Sequence, residues 1–269
     1  MSAAPQNRAP RNPTPRNQGP EVPFGFRDVP AGDKPGLVRG VFDSVATRYD
    51  LMNDLMSGGI HRLWKRAMID ALKPRKGWTL VDLAGGTGDI AFAFLERVEG
   101  PNGEVDGRAV ICDLTPGMLE VGRDRALDRG ILEGIEWIAG NAEKIPLDEG
   151  CADAVTMAFG LRNVADIDAV LGEAHRILKP GGRFMCLEFS RCNLPGLDRL
   201  YELYSFHVLP HLGRVVTGDE AAYRYLVESI RRFPPQEALA KRFEQAGFAR
   251  VDWRNLSAGI AALHWGWRV

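Results

Sequence analysis

The sequence predicts an α/β protein in which a mostly parallel sheet is covered by helices on both faces. Three observations predict it. From Gly77 onward, continuous apolar runs alternate with amphipathic ones, the pattern of buried strands joined by crossover helices. The stretch Thr79-Leu-Val-Asp-Leu-Ala-Gly-Gly-Thr-Gly-Asp89 passes from a strand through a glycine turn into an apolar helical run, Ile90 to Leu95. Such a turn brings backbone N–H groups close to a nucleotide-like ligand. Finally, a chain of 269 residues has room for one large domain with a deep core.

The elements follow in order. Residues 1 to about 36 are rich in Pro, Asn and Arg; the first twenty hold five prolines and three arginines without a carboxylate. Too little apolar surface exists there to offset ordering entropy, so a disordered tail is expected, with residues 37–269 as a single domain. Val41, Phe42, Val45 and Tyr49 share a helical face that continues to Met52 and Met56 before Ser57-Gly58-Gly59 stops it. A second helix runs from Ile60 to Leu72 and ends at Lys73-Pro74. These two helices would pack as an N-terminal cover or roof a ligand crevice. Strands are expected at 79–83, 108–114, 135–139, 154–159 and 182–189, and helices at 89–98, 116–129 and 166–178, with Pro116 in a first turn. Lys179-Pro-Gly-Gly182 reads as a hard turn. Residues 191–233 break the rhythm with a stripe of Leu197, Leu200, Tyr201, Tyr204 and Val208 plus further aromatics, which reads as an inserted lid. A helix from Pro235 to Gly247 and a closing hairpin across Ser257-Ala258 complete the chain.

Composition narrows the function. With 45% hydrophobic and 26% charged residues and a net charge of −1, the chain is an ordinary globular protein. Near-neutral charge argues against a nucleic-acid partner, which would show as a basic excess. No apolar run approaches the roughly 18 residues of a membrane span, and no signal peptide opens the chain. A cytoplasmic protein is expected, with membrane contact at most peripheral. Cys112, Cys151, Cys186 and Cys192 are widely spaced without a Cys-x-x-Cys pair and read as reduced structural thiols.

The chemistry concentrates after the first strand. Gly86-Thr-Gly88-Asp-Ile-Ala91 fits G-x-G-x-x-A, and Asp113 closes the second strand 25 residues beyond Gly88. A carboxylate there can accept both ribose hydroxyls of an adenosine. Asn141 and Ala142, at the end of the third strand, would lie beside the adenine on the same sheet edge. Dinucleotides and S-adenosylmethionine both use this geometry. Asp89 in the first helical turn suits the helix dipole but would repel a pyrophosphate, whereas it could face a sulfonium or amino group. None of the five tyrosines has a lysine four residues on, which disfavours a short-chain hydride-transfer enzyme.

Asp82-Leu-Ala-Gly-Gly-Thr-Gly-Asp89 resembles the first S-adenosylmethionine motif of class I methyltransferases. Tyr49-Asp-Leu-Met-Asn-Asp-Leu-Met-Ser-Gly-Gly-Ile-His-Arg-Leu-Trp64 and Phe159-Gly-Leu-Arg-Asn163 are similar to blocks of the UbiE-type C-methyltransferases of ubiquinone and menaquinone biosynthesis. Arg176–Phe184, Leu187–Ser190, Tyr204–Pro210 and Tyr223–Ile230 extend the match over the chain from about Val41. The resemblance implies a Rossmann-like class I fold with a seven-stranded, mostly parallel sheet, an antiparallel C-terminal strand, an N-terminal helical cover and an inserted lid. It implies S-adenosyl-L-methionine as cofactor, held at Asp82, Gly86, Thr87, Gly88, Asp113, Asn141 and Ala142, and a polyprenyl quinol as acceptor. The family often has Ser where this chain has Ala158, which removes a side-chain contact there.

C-methylation of a quinol ring needs electron density at the carbon, so a ring hydroxyl should lose its proton as the methyl transfers. Alignment of the ring carbon with the methyl can contribute about 7–11 kcal/mol at best, and the developing phenolate must be stabilised. Arg162 is expected to stabilise that phenolate or orient a water, since a guanidinium stays protonated and is a poor base; a salt bridge to Asp166 or Asp168 is the competing reading. Asn163 would hydrogen-bond a ring oxygen, and Tyr49 would close the site from the cover. His207 and His211 have i, i+4 spacing, but Pro210 lies between them and no third ligand is evident, so no metal site is expected. Two rivals stand outside the transferases: a nicotinamide-dependent oxidoreductase, and a non-catalytic scaffold binding the cofactor inside a quinone-biosynthesis complex. Another lipid-like acceptor is the rival within them.

Overall fold

The computed structural model describes residues 19–45, 54, 57–100, 105–190 and 220–269. Its main sheet has seven strands in the order β5-β4-β3-β6-β7-β9-β8: β3 (Trp78–Leu83), β4 (Gly107–Asp113), β5 (Ile135–Ala139), β6 (Ala152–Ala158), β7 (Leu178–Phe189), β8 (Ala249–Leu256) and β9 (Ala261–Trp267). β3 through β7 pair in parallel, and β9 runs antiparallel to both β7 and β8. The order leaves β3 toward β4 on one side and toward β6 on the other. A doubly wound sheet opens a crevice at the carboxyl ends of such strands.

Both faces are covered, as the apolar runs predict. Alternation along β3 sends Leu80 toward a core shared with α2 (His61–Leu72), α3 (Asp89–Val98) and α6 (Glu220–Arg232). Val81 and Leu83 point to the opposite core, packed by α5 (Ile167–Ile177) and α7 (Gln236–Gln245). The remaining helices are α1 (Lys34–Val45), on the N-terminal side, and α4 (Pro116–Asp128). α4 has Pro116 in its first turn, where a missing N–H is harmless. α5 starts where Asp166 accepts the amides of Asp168 and Ala169, a side-chain N-cap.

Two expectations are corrected, and a third lies largely outside the described residues. The disordered tail does not reach residue 36: β1 (Glu21–Phe24) and β2 (Arg27–Pro30) form a hairpin, and α1 starts at Lys34. Gly25 makes the bend with φ +60, where an added Cβ would lie 2.3 Å from Glu228 Oε2. Phe24 and Val29 are buried against Val38 and Tyr225, a partner some 200 residues away that no local reading could supply. Next, Lys179-Pro-Gly-Gly182 lies within β7 rather than before it. The register jumps from Ala152 opposite Leu178 to Ala154 opposite Arg183, so the four residues bulge from the edge of the ladder. Third, of the lid expected at 191–233, the C-terminal part forms α6, while residues 191–219 lie outside the described residues together with Tyr49, His207 and His211.

Candidate active site

The glycine turn joins β3 to α3 at the switch point. Ala84 enters it with φ +50, and Phe159 leaves β6 with φ +60. Non-glycine residues in this region cost of order 1–3 kcal/mol and gather at ligand sites. Each is held there by the sheet, since Ala84 N–H donates to Cys112 O and Phe159 N–H to Leu187 O, both at 2.8 Å. Between them opens a crevice enclosing about 710 Å³ of empty space, part of it open solvent. Asp113, Asn141, Ala142 and Gly86 line one end, Phe159 and Asn163 the other, and Pro35, Val38 and Phe42 of α1 line it from the cover.

Asp113 is buried at the end of β4. Its Oδ2 accepts Gly86 N–H at 2.9 Å and its Oδ1 accepts Thr115 N–H at 2.8 Å. Burial pushes the carboxyl up, and those two amides oppose the shift. Asn141 is steadied by its own Asx turn, with Oδ1 accepting Glu143 N–H at 2.9 Å.

A smaller recess beside the main crevice is lined by Lys65, Asp82, Gly85, Gly86, Thr87, Asp89 and Ala158. Asp82 Oδ1 accepts the Thr156 hydroxyl at 2.7 Å, whereas Oδ2 is buried with no hydrogen-bond partner among the described residues. Burial raises this carboxyl to about 7. Asp89 behaves differently. Burial alone would raise it, but Lys65 Nζ and Arg125 each bind it at 2.7 Å and hold it well below the usual carboxylate range. Its charge is therefore answered by two cations from α2 and α4 while it still lines the recess.

The acceptor end is built on a single turn of 3₁₀ helix, Leu161–Asn163. Arg162 points to Glu188 at the end of β7, NH1 to Oε1 at 2.8 Å, with both side chains 1% exposed. The same nitrogen donates to the Phe159 carbonyl, and the guanidinium lies 5.5 Å from the Phe189 ring centre. Burial raises the Glu188 carboxyl against the pull of Arg162. The expected alternatives for Arg162 do not form: Asp166 caps α5, and Asp168 pairs with Arg242. Arg162 is thus committed to the fold around the turn and does not line the crevice. Asn163, one residue on, does; its Nδ2 donates to the Phe159 carbonyl at 3.4 Å and its Oδ1 accepts the Tyr225 hydroxyl at 3.1 Å.

Six predicted residues therefore line the two cavities: Asp82, Gly86, Thr87, Asp113, Asn141 and Ala142. Gly88 lines neither. It precedes α3 with φ +88, where a Cβ would press on Phe92 and Trp137 at 3.1 Å. The Thr87 hydroxyl oxygen accepts from Arg125 NH1 at 2.5 Å. Lys65, Arg125, Glu188 and Tyr225 were not expected at the site. Glu188 and Tyr225 fall inside the matched blocks Leu187–Ser190 and Tyr223–Ile230, but only their distant partners reveal what they hold.

The residues present fit S-adenosylmethionine. A buried carboxylate oxygen without a partner, Asp82 Oδ2, faces the glycine turn, and a Cβ on Gly85 would come within 2.7 Å of it. That is a cradle shaped for a cationic group beside bare backbone. Asp113 and Asn141 line the adjoining crevice. Fold and site together define a class I S-adenosylmethionine-dependent methyltransferase.

Comparison with known proteins agrees. The model of the ubiE/COQ5 methyltransferase family matches residues 30–268. A Bradyrhizobium diazoefficiens protein named ubiquinone/menaquinone biosynthesis C-methyltransferase UbiE is 55% identical over 249 residues, 91% of this chain and 96% of that one. A Brucella suis protein of the same name is 52% identical over 253 residues, 93% and 92% of the two chains. Among solved structures, an S-adenosylmethionine-dependent methyltransferase of Thermotoga maritima superposes with a TM-score of 0.60 at 20% identity, covering 86% of this chain and 100% of that one. An N-methyltransferase of Haemonchus contortus, solved with S-adenosylhomocysteine, gives 0.61 at 13% identity, covering 86% and 60%. These likenesses establish the fold. The chain belongs to the ubiE/COQ5 methyltransferase family and is an S-adenosylmethionine-dependent C-methyltransferase.

Proposed function

We propose that the chain methylates a ring carbon of a polyprenyl benzoquinol of the 2-methoxy-6-polyprenyl-1,4-benzoquinol type in ubiquinone biosynthesis, and of demethylmenaquinol where menaquinone is made. One observation carries the reading: a single crevice joins Asp113 and Asn141 to Asn163, which sits among Val38, Phe42 and Phe159. An apolar wall with one amide at its rim suits a ring carrying hydroxyl and methoxy groups.

S-adenosylmethionine supplies an electrophilic methyl group on sulfur. Asp113 takes the ribose hydroxyls, Asn141 and Ala142 flank the adenine, and the free oxygen of Asp82 takes the amino group. The chain's remaining work is to orient the quinol and accommodate charge. A ring hydroxyl loses its proton as the carbon gains the methyl, and Asn163 donates a hydrogen bond to the resulting oxyanion. Arg162, paired with Glu188, acts at one remove by fixing the Phe159 carbonyl and the turn that carries Asn163. The role proposed for Tyr49 is to close the acceptor site, and that residue lies outside the described residues. The polyprenyl tail requires an apolar exit and a substrate drawn from a membrane, so we extend the reading to peripheral membrane contact. Among the described residues no helix is long and apolar enough to cross a membrane.

Methyl transfer assayed with short-tailed benzoquinol and naphthoquinol acceptors tests the proposal. Product with the benzoquinol supports it; turnover on neither acceptor, with S-adenosylmethionine bound, ends it. Co-sedimentation with lipid vesicles tests the membrane contact, which is wrong if the protein stays in the supernatant.

A further inference from the structure

The N-terminal hairpin, expected as tail, is linked to the crevice residue Asn163 by way of Tyr225. Phe24 stacks on the Tyr225 ring at 4.4 Å with an interplanar angle of 26°, and the Tyr225 hydroxyl lies 3.1 Å from Asn163 Oδ1. The hairpin is itself fastened to α6, since Phe26 N–H donates to Glu228 Oε2 at 3.0 Å and Arg232 NH1 binds Asp28 Oδ1 at 2.8 Å. Lys34, at the start of α1, donates to the Val164 carbonyl at 2.6 Å, directly after the turn.

These contacts fix which way the Asn163 amide is flipped. The Phe159 carbonyl can only accept, so the Asn163 atom facing it must be nitrogen. The oxygen then faces Tyr225, whose hydroxyl must donate. Burial raises the Tyr225 phenol, so it keeps its proton over the whole working range. The amide nitrogen has two hydrogens, and Phe159 takes one.

Resting on the acceptor reading above, we propose that Tyr225, backed by Phe24, is a positioning residue that locks Asn163 as a hydrogen-bond donor toward the crevice. Without the hydroxyl, the amide keeps only the 3.4 Å bond to the Phe159 carbonyl, and its second N–H is no longer held in line with the crevice. The arrangement therefore selects acceptors whose ring oxygen accepts a hydrogen bond at the transition state. It also makes the hairpin part of the acceptor site.

The test compares Tyr225→Phe, Asn163→Ala and the double variant with wild type, using S-adenosylmethionine and a short-tailed benzoquinol. Tyr225→Phe keeps the ring and its stack on Phe24. Its kcat/KM for the quinol should fall about tenfold, the scale of one hydrogen bond, with the Kd for S-adenosylmethionine unchanged. The double variant should be no worse than Asn163→Ala alone, because the hydroxyl acts only through the amide. Wild-type kinetics in Tyr225→Phe, or losses that multiply in the double variant, overturn the proposal. A merely structural role would instead lower Tm and weaken both substrates together. Should Tyr225→Phe fold poorly, Phe24→Leu removes the stack and leaves the hydroxyl; a smaller quinol-specific loss is expected, and equal loss for both substrates counts against the proposal. Wild-type protein that methylates no quinol defeats the acceptor reading itself, a result distinct from an active enzyme indifferent to Tyr225.

Discussion

Asp82 and Thr156 face each other on neighbouring parallel strands, with the Thr156 hydroxyl donating to Asp82 Oδ1 at 2.7 Å and the other carboxylate oxygen left buried and unpartnered. This pair fixes how the donor end of the crevice responds to pH. An Asp in an unfolded chain titrates near 3.9, whereas burial raises Asp82 to about 7. The folded state thus holds the proton more tightly, so stability falls as pH rises from about 4 to about 7 and is level beyond. Asp113 and Glu188 are shifted in the same direction.

Donor binding should have the opposite slope. A ligand with a cationic amino group favours the ionised carboxylate, so S-adenosylmethionine affinity should rise with pH through about 7. Asp82→Asn should weaken binding roughly 10- to 100-fold, the scale of one charge-assisted hydrogen bond, and flatten that slope. Thr156→Val removes a bond that favours the anion and should move the rise to higher pH. Calorimetric titration between pH 5.5 and 8.5, taken as roughly ±1.5 units around the midpoint, reads all three; a pH-independent wild-type affinity contradicts the assignment.

Gly85 is needed for want of a side chain. A Cβ there would lie 2.7 Å from Asp82 Oδ2 and 2.9 Å from Ile111 Cγ2. Gly85→Ala should therefore remove most donor affinity while costing about 1–3 kcal/mol of stability through overpacking. Titration and thermal unfolding measured side by side check this.

The Arg162–Glu188 pair should be costly to break and cheap to replace. Both side chains are fully buried, and removing one partner strands a charge, at about 3–5 kcal/mol. Glu188→Leu and Arg162→Met should each lower Tm by many degrees, and the double variant by less than their sum. A double-mutant cycle in denaturant measures the coupling, and simple additivity would show that the pair is not a unit.

Asp89 should tell donor from product. Its carboxylate neutralises Lys65 and Arg125 at the edge of the smaller recess. Asp89→Ala removes a negative charge from the edge of that recess and leaves the positive charge of Lys65 and Arg125 in place, so S-adenosylmethionine, with a sulfonium, should lose more affinity than neutral-sulfur S-adenosylhomocysteine. Equal losses for the two ligands would argue that Asp89 acts by packing alone.

Much of the fold was legible in the chain. Local periodicity marks β3 to β6 and α3 to α5 within a few residues, because strands buried on both faces must be continuously apolar and their crossover helices amphipathic. Asp113 and Asn141 were legible for a related reason: a doubly wound sheet places strand ends on one edge, so position along the chain implies position at the site. Arg162 was misread. Its pairing partner, Glu188, is 26 residues away on another strand, and nothing in the spacing distinguishes that acid from nearby Asp166 and Asp168. Gly88 was read as a ligand contact because the motif does not separate glycines that face a crevice from those that face a core.

By itself the sequence determined the layered sheet, the glycine turn, the donor class and the family, since each follows from periodicity or from short contiguous blocks. Only the tertiary structure decided which charges are answered and by whom: Lys65 and Arg125 on Asp89, Glu188 on Arg162, no partner for Asp82 Oδ2, and a hairpin clasped to Tyr225. The physical reason is that secondary structure is set by neighbours along the chain, whereas electrostatic and hydrogen-bond partners are set by neighbours in space.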